Sequence, residues 1–300
     1  MPVTSRRPYL RTALAALAVV SLTACATPAP AQPPVSTTAA ATEHKDFEQL
    51  ERTFGARLGV YAVDTATGRE IAFRADERFA YASTHKVFSA GAVLQRTPIS
   101  GLDRTVTFSR NDLVSDSAIT EKHVGTGMTL RAVMDATIRY SDNTGGNLLF
   151  RELGGPNGLA EALRAIGDAT IHVDRIEPQL NETAPGDIRD TSTPRALTNT
   201  LRAFTLGTAL PEDKRTILTD MMRANTTGGA LIRAGVPEGW QVADKTGAAD
   251  YGTRNDIAVI WPPQRAPIVL AVLSDRPEKK AAYDNKLIAQ ATTVALKTFR

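Results

Sequence analysis

The stretch that decides the fold lies late in the chain: "GWQVADKTGAADYGTRNDIAVIWPPQRAPIVLAVLSD", Gly239 to Asp275. Its β-rich runs "GWQVADKTG", "NDIAVIWPP" and "APIVLAVLSD" are short and separated by turn residues, which predicts three strands. Strands also stand near the start of the body. In "RLGVYAVDTATGREIAFRAD" two β-rich runs flank "DTATG" and read as a hairpin. The middle, from about 83 to 224, has helical periods instead. "TLRAVMDATIRY" and "GNLLFREL" are two of them, "NGLAEALRAIG" opens on an Asn cap and ends on Gly167, and "STPRALTNTLRAFTLG" places Pro194 near a helix start. Helices are also predicted in "EHKDFEQLERTFG", with Phe47, Leu50 and Phe54 in helical spacing, and in "KKAAYDNKLIAQATTVALKTF" near the end. Strands at both ends with helices between predict an α/β (α+β) two-domain protein. One domain, residues 43–74 and 225–300, is an antiparallel sheet flanked by helices. The other, residues 75–224, is an inserted all-helical domain, and the cleft between them is the natural place for a site.

Outside this body the chain reads differently. Arg6, Arg7 and Arg11 precede the apolar run "ALAALAVVSL", which is far below the ~20 residues of a membrane-spanning helix. A basic start and a short apolar run mark residues 1–25 as an export signal, and "SRRPYL" resembles a twin-arginine signal. The single cysteine, Cys25, follows "LTA", which resembles a bacterial lipobox and implies a lipid anchor on the cell envelope. Residues 26–42, Pro, Ala, Thr and Ser without charge, read as a disordered tether. Of 35 basic residues three lie in the signal, leaving 32 against 32 acidic. A neutral body without a basic run gives no reason to expect nucleic acid. Nothing calls for more than a monomer, and the four histidines show no zinc-ligand pattern.

Three short features carry chemistry. In "YASTHKVFSA" Ser83 stands three residues before Lys86, so a helix starting there puts both on one face. A helix N-terminus also offers N–H groups to a developing oxyanion. The run "KVFSAGAVL" is apolar enough to bury the lysine, and a buried lysine without a role is rare. "SDN", Ser141 to Asn143, offers a hydroxyl to relay a proton to a leaving group and, in Asn143, a side chain to hydrogen-bond a substrate amide; read alone it is a helix cap before "TGGNLL". "DKTGAADYGTR" would place Lys245 and Thr246 on a strand beside a cleft, with Gly247 allowing a ligand close to the backbone; read alone it is an edge strand guarded by a lysine.

In this order the three features resemble the penicillin-recognising serine enzymes, class A β-lactamases and penicillin-binding proteins. "RIEPQLNETAPGDIRDTSTP", Arg175 to Pro194, resembles the loop bordering the class A site, and "TEKH", "GMTLR" and "NDIAVIW" are also similar to that family, so the likeness spans nearly all of residues 43–300. The resemblance implies hydrolysis of a β-lactam amide through an acyl-enzyme on Ser83, with the proton taken by Lys86 or by Glu177 through water. It implies Ser141 as the relay to the ring nitrogen with Lys245 beside it, and the N–H groups of Ser83 and Ala248 as oxyanion donors. Asn143 would bind the substrate amide, Thr246, Gly247 and Arg254 its carboxylate end, and Asn181 would help Glu177 hold the deacylating water. Arg175 and Asp190 would close the loop. No cofactor or metal is implied. At the cleft mouth many relatives carry an aromatic residue where this chain has Asp116, which bears on substrate preference. A D-alanyl-D-alanine peptidase shares the first three motifs but lacks the Glu177 apparatus. A non-turnover β-lactam sensor and a non-catalytic surface protein are the other readings.

Overall fold

The computed structural model describes Met1, Pro2 and residues 37–299. The export signal, Cys25 and most of the tether lie outside the described residues. The first helix, α1 (Thr37–Phe54), begins inside the stretch read as tether to residue 42, so helix replaces the expected irregular chain from Thr37 on. The run "TTAAAT" has no Pro, and alanine is the best helix former, so nothing local stops α1 from extending back to it. Gly55, at φ +56°, ends α1.

The sheet strands are β1 (Arg57–Asp64), β2 (Glu70–Phe73), β3 (Gln241–Ala249), β4 (Thr253–Trp261) and β5 (Ile268–Asp275). They form one antiparallel sheet in the order β2-β1-β5-β4-β3. β1 lies beside β5, the last strand, with Arg57 opposite Asp275. The two ends of the chain therefore build one sheet, and β3, with its Lys-Thr-Gly, is its edge.

Successive side chains in a strand point to opposite faces. On one face Leu58, Val60, Ala62, Ile260, Leu270 and Val272 pack with Phe47 and Leu50 of α1 and with Leu287, Ile288 and Ala291 of the last helix. On the other, Tyr61, Val63, Ile257, Val259, Val269, Ala271 and Leu273 join a core shared with the helices of the middle of the chain. Coverage on both faces explains why "IVLAVLS" is apolar without alternation.

The middle helices are α2 (His85–Arg96), α3 (Leu130–Arg139), α4 (Asn143–Leu153), α5 (Pro156–Ala165), α6 (Pro194–Thr205) and α7 (Glu212–Arg223). A short turn, α8 (Ile232–Gly235), and α9 (Asn285–Lys297) complete the described helices. Caps account for several starts: Thr129, Asp142, Thr193 and Asp284 each accept a backbone N–H of the following turn. The Asn cap expected for α5 is corrected. Gly155 precedes the helix and Pro156 is its first residue, so Asn157 already lies in the first turn.

Candidate active site

Apart from Arg254 on β4, the residues named from the sequence come from four separate parts of the fold. A 3₁₀ turn, Ala82–Thr84, carries Ser83 into α2, whose first turn carries Lys86. The connection from α3 to α4 supplies Ser141, and Asn143 is the first residue of α4. The loop 175–190 supplies Glu177 and Asn181, and β3 supplies Lys245 to Ala248.

Lys86 is fully buried and gathers the others. Its Nζ lies 2.9 Å from Ser83 Oγ, 2.8 Å from the Ser141 carbonyl oxygen, 2.6 Å from Asn143 Oδ1 and 3.0 Å from Glu177 Oε1. Ser83 and Lys86 thus share one helix face, as their spacing predicts. Gly146 of α4 passes close by: a Cβ there would stand 3.1 Å from Lys86 Cε. Two residues beside the site, Ala82 (φ +49°) and Ser141 (φ +58°), hold left-handed backbone. Such strain costs ~1–3 kcal/mol each and concentrates at functional sites.

Glu177 is buried, and its carboxylate is held from both oxygens. Asn181 Nδ2 donates to Oε2 at 2.6 Å, and Lys86 lies on Oε1. Burial alone would raise this carboxyl, but the Lys86 charge and hydrogen bonds from His85 and Lys86 outweigh it and bring it down to about 2. Its backbone is clamped as well. Asn147 Nδ2 donates to the Glu177 carbonyl at 2.8 Å, and the Glu177 N–H donates to Asn147 Oδ1 at 2.9 Å. Arg175 and Asp190 do close the loop, at 2.5 Å. Asp190 also accepts the N–H groups of Asp174 and Arg175 and the Tyr81 hydroxyl.

On the other side Lys245 Nζ donates to Ser141 Oγ at 3.0 Å. Burial, helped by the Lys86 charge, pulls this ammonium down to about 7, against the pull of Asp244, Asp256 and Glu177. Thr246 Oγ1 is 2.6 Å from Thr227 Oγ1. Arg254 stands opposite Ala248 in the β3–β4 register. Its Nε donates to Asn285 Oδ1 at 2.8 Å and its guanidinium lies over the Tyr283 ring, but it makes no ion pair among the described residues. A cation without an ion-pair partner, opposite the residue two along β3 from Thr246, suits an anionic group.

Gly247 has a packing reason besides the ligand approach read from the sequence. A Cβ there would meet the Tyr81 carbonyl oxygen at 2.9 Å and Ala82 Cβ at 3.2 Å. The close approach is to the nucleophile's own turn, so this glycine lets β3 pack beside Ser83. Asp116 sits exposed at φ +58°, and its carbonyl accepts the Asn143 N–H at 3.0 Å, which places it at the cleft.

A family model described as "Beta-lactamase enzyme family" matches residues 43–299. The chain belongs to the class A β-lactamases. It is 58% identical to a β-lactamase of Bacillus amyloliquefaciens over 253 residues, 84% of this chain and 83% of that protein. It is 57% identical to one of Bacillus licheniformis over 257 residues, 85% of this chain and 84% of that one. A solved class A β-lactamase from Clostridium kluyveri superposes with a TM-score of 0.85 at 49% identity, over 86% of this chain and 99% of that one. The enzyme is accordingly a serine β-lactamase acting on β-lactams. These relatives do not favour the peptidase and sensor readings.

Four residues around the site were missed in the sequence. Asn147 was legible in principle, being four residues after Asn143 on the same face of α4. Asp142, read only as a cap, also reaches Ile119 and Thr120. Thr227 and His85 carry no local signal; only packing brings them to Thr246 and Glu177. A further cavity of about 590 Å³, lined by Arg57, Phe79, Ile188 and Tyr251 among others, contains none of the site residues. Among the described residues no helix is long and apolar enough to cross a membrane, and no cluster of metal-ligating side chains occurs.

Proposed function

We propose that this β-lactamase opens the lactam ring by attack of Ser83 Oγ on its carbonyl carbon and releases the product with water activated by Glu177. The observation that carries this reading is Lys86. One buried Lys86 Nζ touches the nucleophile, the base and the Ser-Asp-Asn segment together. The neutral form of Lys86, which has a lone pair free, takes the Ser83 proton as the C–O bond forms. Ser83 and Ala248 N–H groups stabilise the oxyanion. The tetrahedral adduct collapses by breaking the C–N bond, and Ser141, bridging Lys86 and Lys245, hands a proton to the leaving nitrogen. Thr246 and Arg254 hold the substrate carboxylate, Gly247 keeps their strand against the nucleophile turn, and Asn143 binds the side-chain amide. Glu177 and Asn181 then direct water at the ester, restoring the serine.

Penicillins and cephalosporins are the proposed substrates, and their hydrolysis would protect the producing cell. The enzyme acts as a monomer outside the cytoplasm, exported through its N-terminal signal and tethered by lipid on Cys25. Intact mass after acid quenching tests the acyl-enzyme: the native chain should gain the mass of one β-lactam, mapped to the Ser83 peptide, and Ser83→Ala should gain none. An adduct elsewhere would overturn the assignment.

Lys245 supplies a pH test. A lysine pulled to about 7 is charged below that pH and neutral above it. Its charge supports substrate binding and proton transfer through Ser141, so kcat/KM of the free enzyme should fall above about pH 7. A bound carboxylate favours the ammonium, so the same limb in kcat should lie higher. Lys245→Arg stays charged throughout and should remove the limb. A limb that persists unchanged in this variant would assign it to another group. The folded state holds this proton less tightly than the unfolded chain, so Lys245's contribution to stability rises with pH from about 7 toward its unfolded value.

A further inference from the structure

His85 stands between Ser83 and Lys86, yet its ring turns away from the nucleophile. It is fully buried, stacked on Phe150 of α4 with centroids 5.1 Å apart, and tilted against Tyr81. Each ring nitrogen has one partner. Nδ1 is 3.1 Å from Ser89 Oγ, one turn along α2, and Nε2 is 3.4 Å from Glu177 Oε1. Ser89 is also fully buried, so this chain of three groups is closed to solvent on the α2 side.

The chemistry of the partners orders the protons. A carboxylate only accepts, so the nitrogen facing Glu177 must carry hydrogen. In a neutral ring the other nitrogen is then an acceptor, and the Ser89 hydroxyl must donate to it. The charged and titratable groups around the ring are Glu177 from the loop, Lys86 from α2, Lys245 from β3, and Tyr81, whose hydroxyl is bound to Asp190. Burial lowers the His85 proton affinity, and both lysines add to this while Glu177 opposes it, so the ring stays neutral.

We propose that His85 is a positioning residue for Glu177: Ser89 fixes its Nε2–H tautomer, and that N–H steadies Oε1 while Oε2, with Asn181, faces the water. This rests on the reading of Glu177 as the deacylation base. The contact is long for a hydrogen bond, so its effect is modest.

His85→Phe keeps the stack and removes both nitrogens. Its acid limb in kcat should move toward higher pH, because the carboxylate loses a donor. With a substrate whose acyl-enzyme accumulates, kcat at neutral pH should fall about three- to tenfold, with kcat/KM, which reports steps through acylation, unchanged. Ser89→Ala should shift the limb the same way by less. Nitrogen-15 histidine spectra of the native protein, which has four histidines, provide a test that needs no variant. One histidine should be protonated at Nε2 only and should not titrate between about pH 5 and 8. Its signal should move in Glu177→Gln. A proton on Nδ1, or ordinary titration, overturns the proposal even if His85→Phe fails to fold. Trapped acyl-enzyme in Glu177→Gln with an unshifted limb in both other variants overturns the proposal alone. Native turnover by Glu177→Gln overturns the deacylation reading and the proposal with it.

Discussion

Glu177→Ala should acylate and then stop. The native carboxylate, held down to about 2, is ionised throughout the working range, and its backbone is clamped to Asn147. On the proposed mechanism it is a preformed base whose placement costs nothing at the moment of reaction. General base catalysis contributes about 100- to 10,000-fold, and the loss should fall on hydrolysis of the ester. Stopped-flow mixing with a chromogenic cephalosporin should show one burst per enzyme followed by a nearly flat line, and mass spectra should show the adduct persisting on Ser83. If the burst itself slows as much as the steady state, Glu177 also serves acylation and Lys86 is not the sole base. Sustained native turnover would remove Glu177 from the mechanism. The same group leaves a signature in stability. Its pKa is depressed on folding, so its stabilisation is present above the unfolded carboxylate value and is lost as pH falls toward about 2. Denaturant midpoints of native and variant protein should therefore converge on acidification across that window.

Asp142→Ala should be the costliest single change in stability near the site, and it touches no part of the substrate. The Asp142 carboxylate is buried and accepts four hydrogen bonds. Gly145 N–H at 2.8 Å caps α4, while Ile119 N–H, Thr120 N–H and the Thr120 hydroxyl tie down the 117–120 segment at 3.0, 3.0 and 2.8 Å. Alanine would leave the three N–H groups without this acceptor, while the Thr120 hydroxyl keeps only its longer contact to the Ser117 carbonyl at 3.4 Å. Each stranded group costs ~1–3 kcal/mol, and relaxation of an exposed neighbour recovers part of it. A total of about 3–5 kcal/mol places the change among the severe ones. In a chain of this size that lowers Tm by roughly 10 °C, since each kcal/mol is worth ~2–4 °C. Calorimetry checks the shift. Activity at low temperature should fall too, because Asp142 sits between Ser141 and Asn143 and holds both toward Lys86. A shift of less than about 1 kcal/mol would mean the 117–120 segment re-pairs with water.

Much of this was legible along the chain because the signals are local. The β-rich runs from Gln241 to Asp275, the hairpin around Asp64, and the helix that starts near Pro194 follow from neighbours a few residues apart. The cap read at Asn157 failed for a local reason too: Pro156 can open a helix and took the place one residue earlier. The tether boundary failed because a short alanine-rich stretch suits a helix when one already stands beside it.

By itself the sequence determined the class of the fold, the serine and lysine on one helix face, and the family whose motifs recur in this order and spacing. Hydrophobic period and fixed offsets along the chain are enough for these. Only the tertiary structure decided the rest. It brought Glu177 within 3.0 Å of Lys86, although the two stand far apart in the chain, and turned Ser141 toward Lys245. It gave Gly247 its packing role and set His85 against Glu177. The reason is physical: protonation and reactivity depend on burial and on charges a few ångströms away in space. Those neighbours are chosen by how the helices and the sheet edge pack, and no local pattern in the chain records that choice.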